Sequence, residues 1–320
     1  MRRSLVARLW QSLIVVAVVT TISFFIIHAA PGDPFAYDNP LITPAVRAQL
    51  RAERGYDKPI GEQFVRYVGN MARGHLGYSV TRQQNVSQAL AEAIPRTLAL
   101  TGLALALSLI LGVAVGVAQA ARRGGWFDRI SSGALLVLYS IPDFWGALMA
   151  LLLFAQLWRL FPAGGMVEEA VHEYLAPWPA FVDRLRHLAL PVASFTLMTV
   201  AGIARYQRAA MLEVLPSDFV RTARAKGVPE RVIIWRHALR TALTPMITLL
   251  GVLFPALLGG ALFIEKVFQW PGMGWLAANA IGSRDYDLVT ATVIVGSVMV
   301  IVGNLLADLL QTAVDPRVRG

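Results

Sequence analysis

Six stretches dominated by apolar residues punctuate the chain, at 9–27, 98–120, 131–157, 188–203, 243–264 and 287–310. Most match or exceed the ~20 residues that an α-helix needs to cross a bilayer's hydrocarbon layer. The pattern predicts an all-α, polytopic membrane protein with six transmembrane helices. Residues 1–30 form a cytoplasmic start and the first helix, and residues 31–97 an external insertion. Residues 98–311 hold the other five helices and a basic loop at 205–243, and residues 312–320 form a cytoplasmic tail. The first run follows Arg2, Arg3 and Arg8 and ends at His28-Ala29-Ala30, as a signal peptide could. It is longer than the 7–15 residues of a signal core, which favours a retained span with its amino end inside.

The insertion is too broken by Pro and Gly to span, but it holds shorter helical patterns. Thr43 and Pro44 open one ending near Gly55; a second runs from Ile60 to Arg73 before Gly74; Asn85 opens a third ending near Pro95. Its many arginines do not forbid an external position, because the positive-inside bias is counted over loops of up to about 60 residues. In the second span Gly102, Gly112 and Gly116 are small contact points, the last two at GxxxG spacing. The third is long enough to tilt or kink at Pro142, and its nominal limits place Asp143 near mid-depth. A carboxylate there avoids lipid and faces the pathway, water or a partner helix; the alternative is a span that begins later, with Asp143 nearer the headgroups. The fifth carries Pro245, Gly251, Pro255, Gly259 and Gly260, so it belongs in the bundle interior, where neighbours can satisfy freed backbone groups. Pro142, Asp143 and Pro255 are the candidate pathway or gate residues.

Between the fourth and fifth spans lies the most basic stretch, Arg205 to Pro245. Ser217 is placed to cap a helix from Asp218 that buries Phe219, Val220 and Ala223 and ends at Gly227. Pro229 and Glu230 open a second helix, with Val232, Trp235 and Leu239 at i, i+3, i+7 spacing. Two short amphipathic helices meeting at a glycine on the water side of a membrane describe a docking element. Charge alone also fits a topogenic loop on lipid headgroups. The spacing also suits a DNA-binding helix-turn-helix, but the flanking spans confine this loop to the bilayer surface and exclude a nucleic-acid partner.

Composition agrees with this reading: 56% of residues are hydrophobic and 15% charged. The net charge of +9 concentrates beside apolar spans, as positive-inside residues do. With no cysteine, disulfides and thiolate metal sites are excluded, and His172 and His187 are too isolated for a metal site. No phosphate-binding GxxxxGK[ST] and no paired intramembrane carboxylate is present, which argues against an enzyme and against ion-driven transport.

Arg221-Thr222-Ala223, three residues and then Gly227 resembles the EAA-type loop of permease subunits in ATP-driven importers. Arg221 stands at that motif's Glu, and Thr222 at its second position is usual for the dipeptide, oligopeptide and nickel branch. The wider string DFVRTARAKGVPERVIIWRHALRTALTP, PGDP at 31–34, EKVFQWPGMG at 265–274 and the DPR near the end are similar to the first of that branch's two permeases. Gly74-His75-Leu76-Gly77-Tyr78-Ser79 resembles a family pattern in which Asp commonly replaces His75. The resemblance covers nearly the whole chain and implies a type I importer permease fold with the external insertion after its first helix. It implies a coupling helix at Arg221, Thr222, Ala223, Gly227, Arg236 and His237, and an external hairpin at Glu265, Trp270, Pro271 and Gly272. Trp270 and Trp275 are then expected at the outer interface. The implied partners are a homologous second permease, two cytoplasmic ATPases that bind ATP and Mg, and an external substrate-binding protein. The chain itself would bind no cofactor and would lie in a prokaryotic inner membrane with both termini cytoplasmic. Dipeptide, oligopeptide, nickel-chelate, opine and sugar-oligomer importers share this architecture. The rival classes are an ion-driven carrier and a non-transporting sensor or scaffold.

Overall fold

The computed structural model describes residues 2–29, 52, 55–79, 81–246 and 261–314, with side chains of 2–9 and 306–314 left aside. PGDP, the helix from Thr43, Gly251, Pro255, Gly259, Gly260 and the C-terminal DPR lie outside the described residues. The described chain is predominantly helical. Among the described residues, four helices are long and apolar enough to cross a membrane, within Trp10–Ala29, Val86–Ala121, Pro177–Val214 and Tyr286–Leu305. A bent pair, Trp126–Ser140 with Asp143–Leu157, raises this to five if it counts as one span. Most of the fifth predicted helix, 243–264, falls at 247–260, outside the described residues.

The chain divides into two compact units. The first comprises Met1–Pro95 and Gly272–Met299. Its elements are α1 (Arg2–Ala29), α2 (Ile60–Ala72), the two-residue strands β1 (Tyr78–Ser79) and β2 (Gln84–Asn85), the start of α3 (Val86–Ala121), α10 (Met273–Gly282) and the start of α11 (Tyr286–Val314). The strands pair antiparallel, Tyr78 opposite Asn85. Buried Asp285 pins this hairpin to the start of α11, accepting hydrogen bonds from Ser79 Oγ and Thr81 Oγ1, both at 2.7 Å. Gly77, at φ +93°, leaves room for the Asp287 carboxylate, which takes the Tyr78 N–H at 3.2 Å. A cavity of about 570 Å³ in this unit is lined by Phe24, His28, Tyr56, Tyr67, His75 and Asp287, among others. Its apolar core joins Val86 and Leu90 of α3 to Leu276 and Leu288.

The second unit comprises Arg96–Pro271 and Val300–Gly320. It holds the rest of α3, then α4 (Trp126–Ser140), α5 (Asp143–Ala150) prolonged by a π-helical turn at Leu151–Leu157, and α6 (Pro177–Val214). The basic loop contributes α7 (Asp218–Ala225), α8 (Glu230–Val232), the π-helical Ile233–Ala238 and α9 (Leu239–Ala242). The main core gathers Leu100 and Ala104 of α3, Ala147 of α5, Leu190 and Phe195 of α6, and Ile264, Phe268 and Trp270.

Several sequence expectations change. The helix from Val86 does not end near Pro95 but continues to Ala121, because proline removes a single rung and its own φ is helical. α6 starts eleven residues before Leu188 and passes Arg205, running through Pro191 to Val214. Pro142 marks a break rather than a kink: α4 and α5 meet at 103°, with Ile141 and Pro142 extended. His172 and His187 are not isolated, since both Nδ1 atoms meet Asp183, at 2.6 and 3.2 Å. Trp270 is 3% exposed, so it is a core residue and not an interfacial anchor: its indole N–H donates to the Arg96 carbonyl at 3.0 Å.

Candidate functional site

The basic loop folds as a helix, a glycine turn and a second helix. Ser217 occupies the N-cap position of α7, yet its hydroxyl points backward and donates to the Val214 carbonyl at 2.6 Å, so it caps nothing. Gly227 follows α7 with φ +76°. The Gly227 N–H reaches the Arg224 carbonyl at 3.0 Å, and the Val228 N–H the Ala223 carbonyl at 3.2 Å. These two bonds form a Schellman motif, which satisfies the last carbonyls of α7 and needs a left-handed residue where Gly227 stands. Pro229 then caps the second helix with an extended backbone.

An ion pair spans the turn. Arg224 donates from Nη2 to Glu230 Oε1 at 2.7 Å and from Nε to Oε2 at 3.1 Å. The Arg224 hydrogen bonds hold Glu230 below its ordinary carboxyl range, and the same contact raises the guanidinium. Both side chains are about half exposed, so the pair contributes no more than about 1 kcal/mol and chiefly fixes the angle between the helices.

Packing decides which face is offered. Val220, Ile233, Ala238 and Ala242 are buried against Val117 and Ala120 of α3 and Ala210 and Met211 of α6. Burying Val220 and Ile233 stabilises this seat by about 1.5–3 kcal/mol each. Ala223 and Leu239 pack against the same cluster. Phe219, expected inside, is instead 44% exposed, and Val232 and Trp235 of the i, i+3, i+7 stripe are 37 and 46% exposed. The π-helical turn explains part of this: with more residues per turn, Ile233 and Ala238, five apart, share the inner face. Arg221, Thr222, Arg236 and His237 all lie on the exposed side with Gly227. Of the coupling-loop candidates only Ala223 is partly covered. The outer surface therefore mixes guanidinium groups with two aromatic rings on a seated scaffold.

The other candidates separate from this face. Asp143 is the first residue of α5, exposed at the α4–α5 break and not mid-helix, with Pro142 as its N-cap. Glu265 is fully buried and accepts from Thr97 Oγ1 at 2.6 Å. Trp270 follows it in the core, and Gly272 caps α10 in the first unit. EKVFQWPGMG is thus a packed turn whose Phe268 carbonyl takes the Gly165 N–H at 3.0 Å. The sequence reading missed the Arg224–Glu230 pair, although opposite charges flanking a helix-ending glycine were a usable signal.

Residues 108–320 match the family described as the binding-protein-dependent transport system inner membrane component, and residues 1–101 match that family's N-terminal part. The chain belongs to this family. As a member it is a transport permease component and not an enzyme. A Brucella suis protein with a provisional peptide-permease name is 40% identical over all of this chain and 99% of its own length. The oligopeptide transport system permease protein AppB of Bacillus subtilis is 35% identical, covering 98% of each chain. The dipeptide transport system permease protein DppB of Escherichia coli is also 35% identical, over 94% of each.

Proposed function

We propose that this chain is one of two permease subunits in an ATP-driven importer of peptides, working with two ATPases and an external binding protein in a bacterial inner membrane. The observation that carries the reading is the exposed helix–Gly227–helix face, backed by buried Val220, Ile233, Ala238 and Ala242. A floppy loop would dissipate an applied displacement, whereas one seated on α3 and α6 passes it on. ATP binding would close the ATPase pair and draw its coupling helices together. The permease pair would then tip from inward-facing to outward-facing and open the binding protein, and hydrolysis would reset it. Peptide is the substrate class supported by the relatives' names, while the binding protein does most of the selecting. In this reading Asp143 sits on the pathway side of the α4–α5 break, where its carboxylate can attract a peptide's ammonium group.

Co-purification tests the assembly. This chain, tagged and expressed with its neighbouring genes, should bring down ATPase subunits, and charge reversal at Arg221 and Arg236 should release them. A chain that purifies without ATPases would favour the sensor or scaffold.

A further inference from the structure

A carboxylate bound by four donors in the second unit lies outside the docking face. Asp128, in the first turn of α4, is 4% exposed. Arg208 of α6 grips it as a fork, Nε to Oδ1 at 2.8 Å and Nη2 to Oδ2 at 2.9 Å. The Gly124 N–H adds a bond to Oδ2 at 2.9 Å, and Ser132 Oγ one to Oδ1 at 3.2 Å. Four donors occupy the carboxylate's acceptor sites, which is the bidentate geometry that fixes orientation as well as distance. Removing either partner would leave a buried charge unmatched.

The place of this pair matters more than its strength. Arg208 stands six residues before α6 ends at Val214, and the loop that carries α7 follows directly. Asp128 opens α4, which runs to the 103° break and Asp143. α4 itself is thinly anchored: of its residues only Asp128 and Leu135 are buried. Leu135 packs with Val200, Ala201 and Ala204, and Tyr139 takes the Arg205 guanidinium at 4.9 Å, all from α6. α4 is therefore fastened to α6 above all.

α3 also packs on α6 and reaches α4, Gln119 Nε2 donating to Ser131 Oγ at 2.9 Å. At Gly112 and Gly116 of α3 the two helices come close: Ile203 fills the space at Gly112, and a Cβ at Gly116 would stand 2.6 Å from the Ala204 carbonyl oxygen. Ser108 Oγ donates to the Thr196 carbonyl at 3.3 Å and Thr196 Oγ1 to the Ala104 carbonyl at 3.4 Å across the same contact. Beside it Gln207 is fully buried, and neither its amide oxygen nor its nitrogen has a partner. Gln119 of α3 likewise leaves its Oε1 unpaired. A buried polar group left unpaired costs about 1–3 kcal/mol. The α3–α6 contact thus leaves Gln207 unmatched, whereas the Asp128–Arg208 pair between α4 and α6 is saturated.

We propose that Asp128 and Arg208 are a positioning pair: they fasten α4 to α6, so that displacement of the docking loop reaches the α4–α5 break. The proposal rests on the transport reading above. Its test uses the assembled complex, with spin labels on cysteines introduced into this cysteine-free chain at Lys226 on the loop, Phe144 past the break and Ile110 on α3 as reference. In the otherwise unsubstituted complex both distances from Ile110 should change on adding ATP. With Asp128→Asn the loop distance should change as before while the Phe144 distance stays fixed, and uptake of labelled dialanine should fall about tenfold, within the usual range of coupling between sites. The double exchange Asp128→Arg with Arg208→Asp should restore both. Movement at Phe144 undiminished in Asp128→Asn overturns the proposal. So does a loss that the double exchange leaves unrepaired, which would mark a merely structural role. If neither label moves in the unsubstituted complex, the transport reading fails together with the proposal.

Discussion

Gly227 shows how far a single residue can be read from its neighbours. A glycine after a short basic amphipathic helix implied a left-handed stop, and the backbone has φ +76° there. A Cβ at this position would meet nothing within 4 Å, so the cost of Gly227→Val is conformational and not steric, about 1–2 kcal/mol. The variant should reach the membrane at normal levels, bind ATPases weakly and lose uptake; Gly227→Asn, better suited to that conformation, should retain more of each. Normal uptake by the valine variant would remove Gly227 from coupling. Asp143 was harder to place. Apolar residues on both sides hid the break, because Ile141 and Pro142 have the composition of a span but an extended backbone. Asp143→Asn keeps the shape and removes the charge, and a pathway role predicts reduced transport and reduced substrate-stimulated ATP hydrolysis. Unchanged activity across pH would reduce Asp143 to a local polar contact. Trp270 misled for a related reason: tryptophan near the end of an apolar run suggests an interface, but here its N–H finds the Arg96 carbonyl inside the unit.

At the scale of elements, hydrophobic runs located the helices and misjudged their ends. Val86–Ala121 and Pro177–Val214 extend well beyond their apolar centres, since backbone hydrogen bonding continues wherever water or neighbours tolerate the side chains. The faces of α7 and of the helix after Pro229 were legible only in part, because a π-helical turn shifts the period that assigns residues to one side. All three glycines of α3 read as contact points in the sequence, and Gly102 is not one. Gly116 lies against the backbone of Ala204 and Arg208, whereas a methyl group added at Gly102 would meet nothing within 4 Å. Gly116→Val should therefore prevent α3 and α6 from closing and lower the amount of intact complex. Gly102→Ala should be neutral or gain up to about 1 kcal/mol of helix stability. Thermal unfolding in detergent, with fluorescence-detected size exclusion, separates the two; equal tolerance would refute the close crossing.

For the whole molecule, the six-span topology makes a claim about sides. Single cysteines at Gln83 and Ser283 should react with an impermeant thiol reagent added outside, while one at Ser217 should react only when the cytoplasmic face is opened. External labelling of Ser217 would place the docking face on the wrong side for an ATPase. The family could be read from motifs that survive in the chain and its partners only through that resemblance, whereas the exposure of Phe219 and Trp235 was not legible. The most direct test is uptake of labelled dialanine into proteoliposomes holding the assembled complex, with the binding protein added outside, ATP enclosed and ionophores collapsing every ion gradient. The account predicts accumulation that requires ATP and disappears with Gly227→Val. Accumulation that follows a proton or sodium gradient and ignores ATP would contradict it.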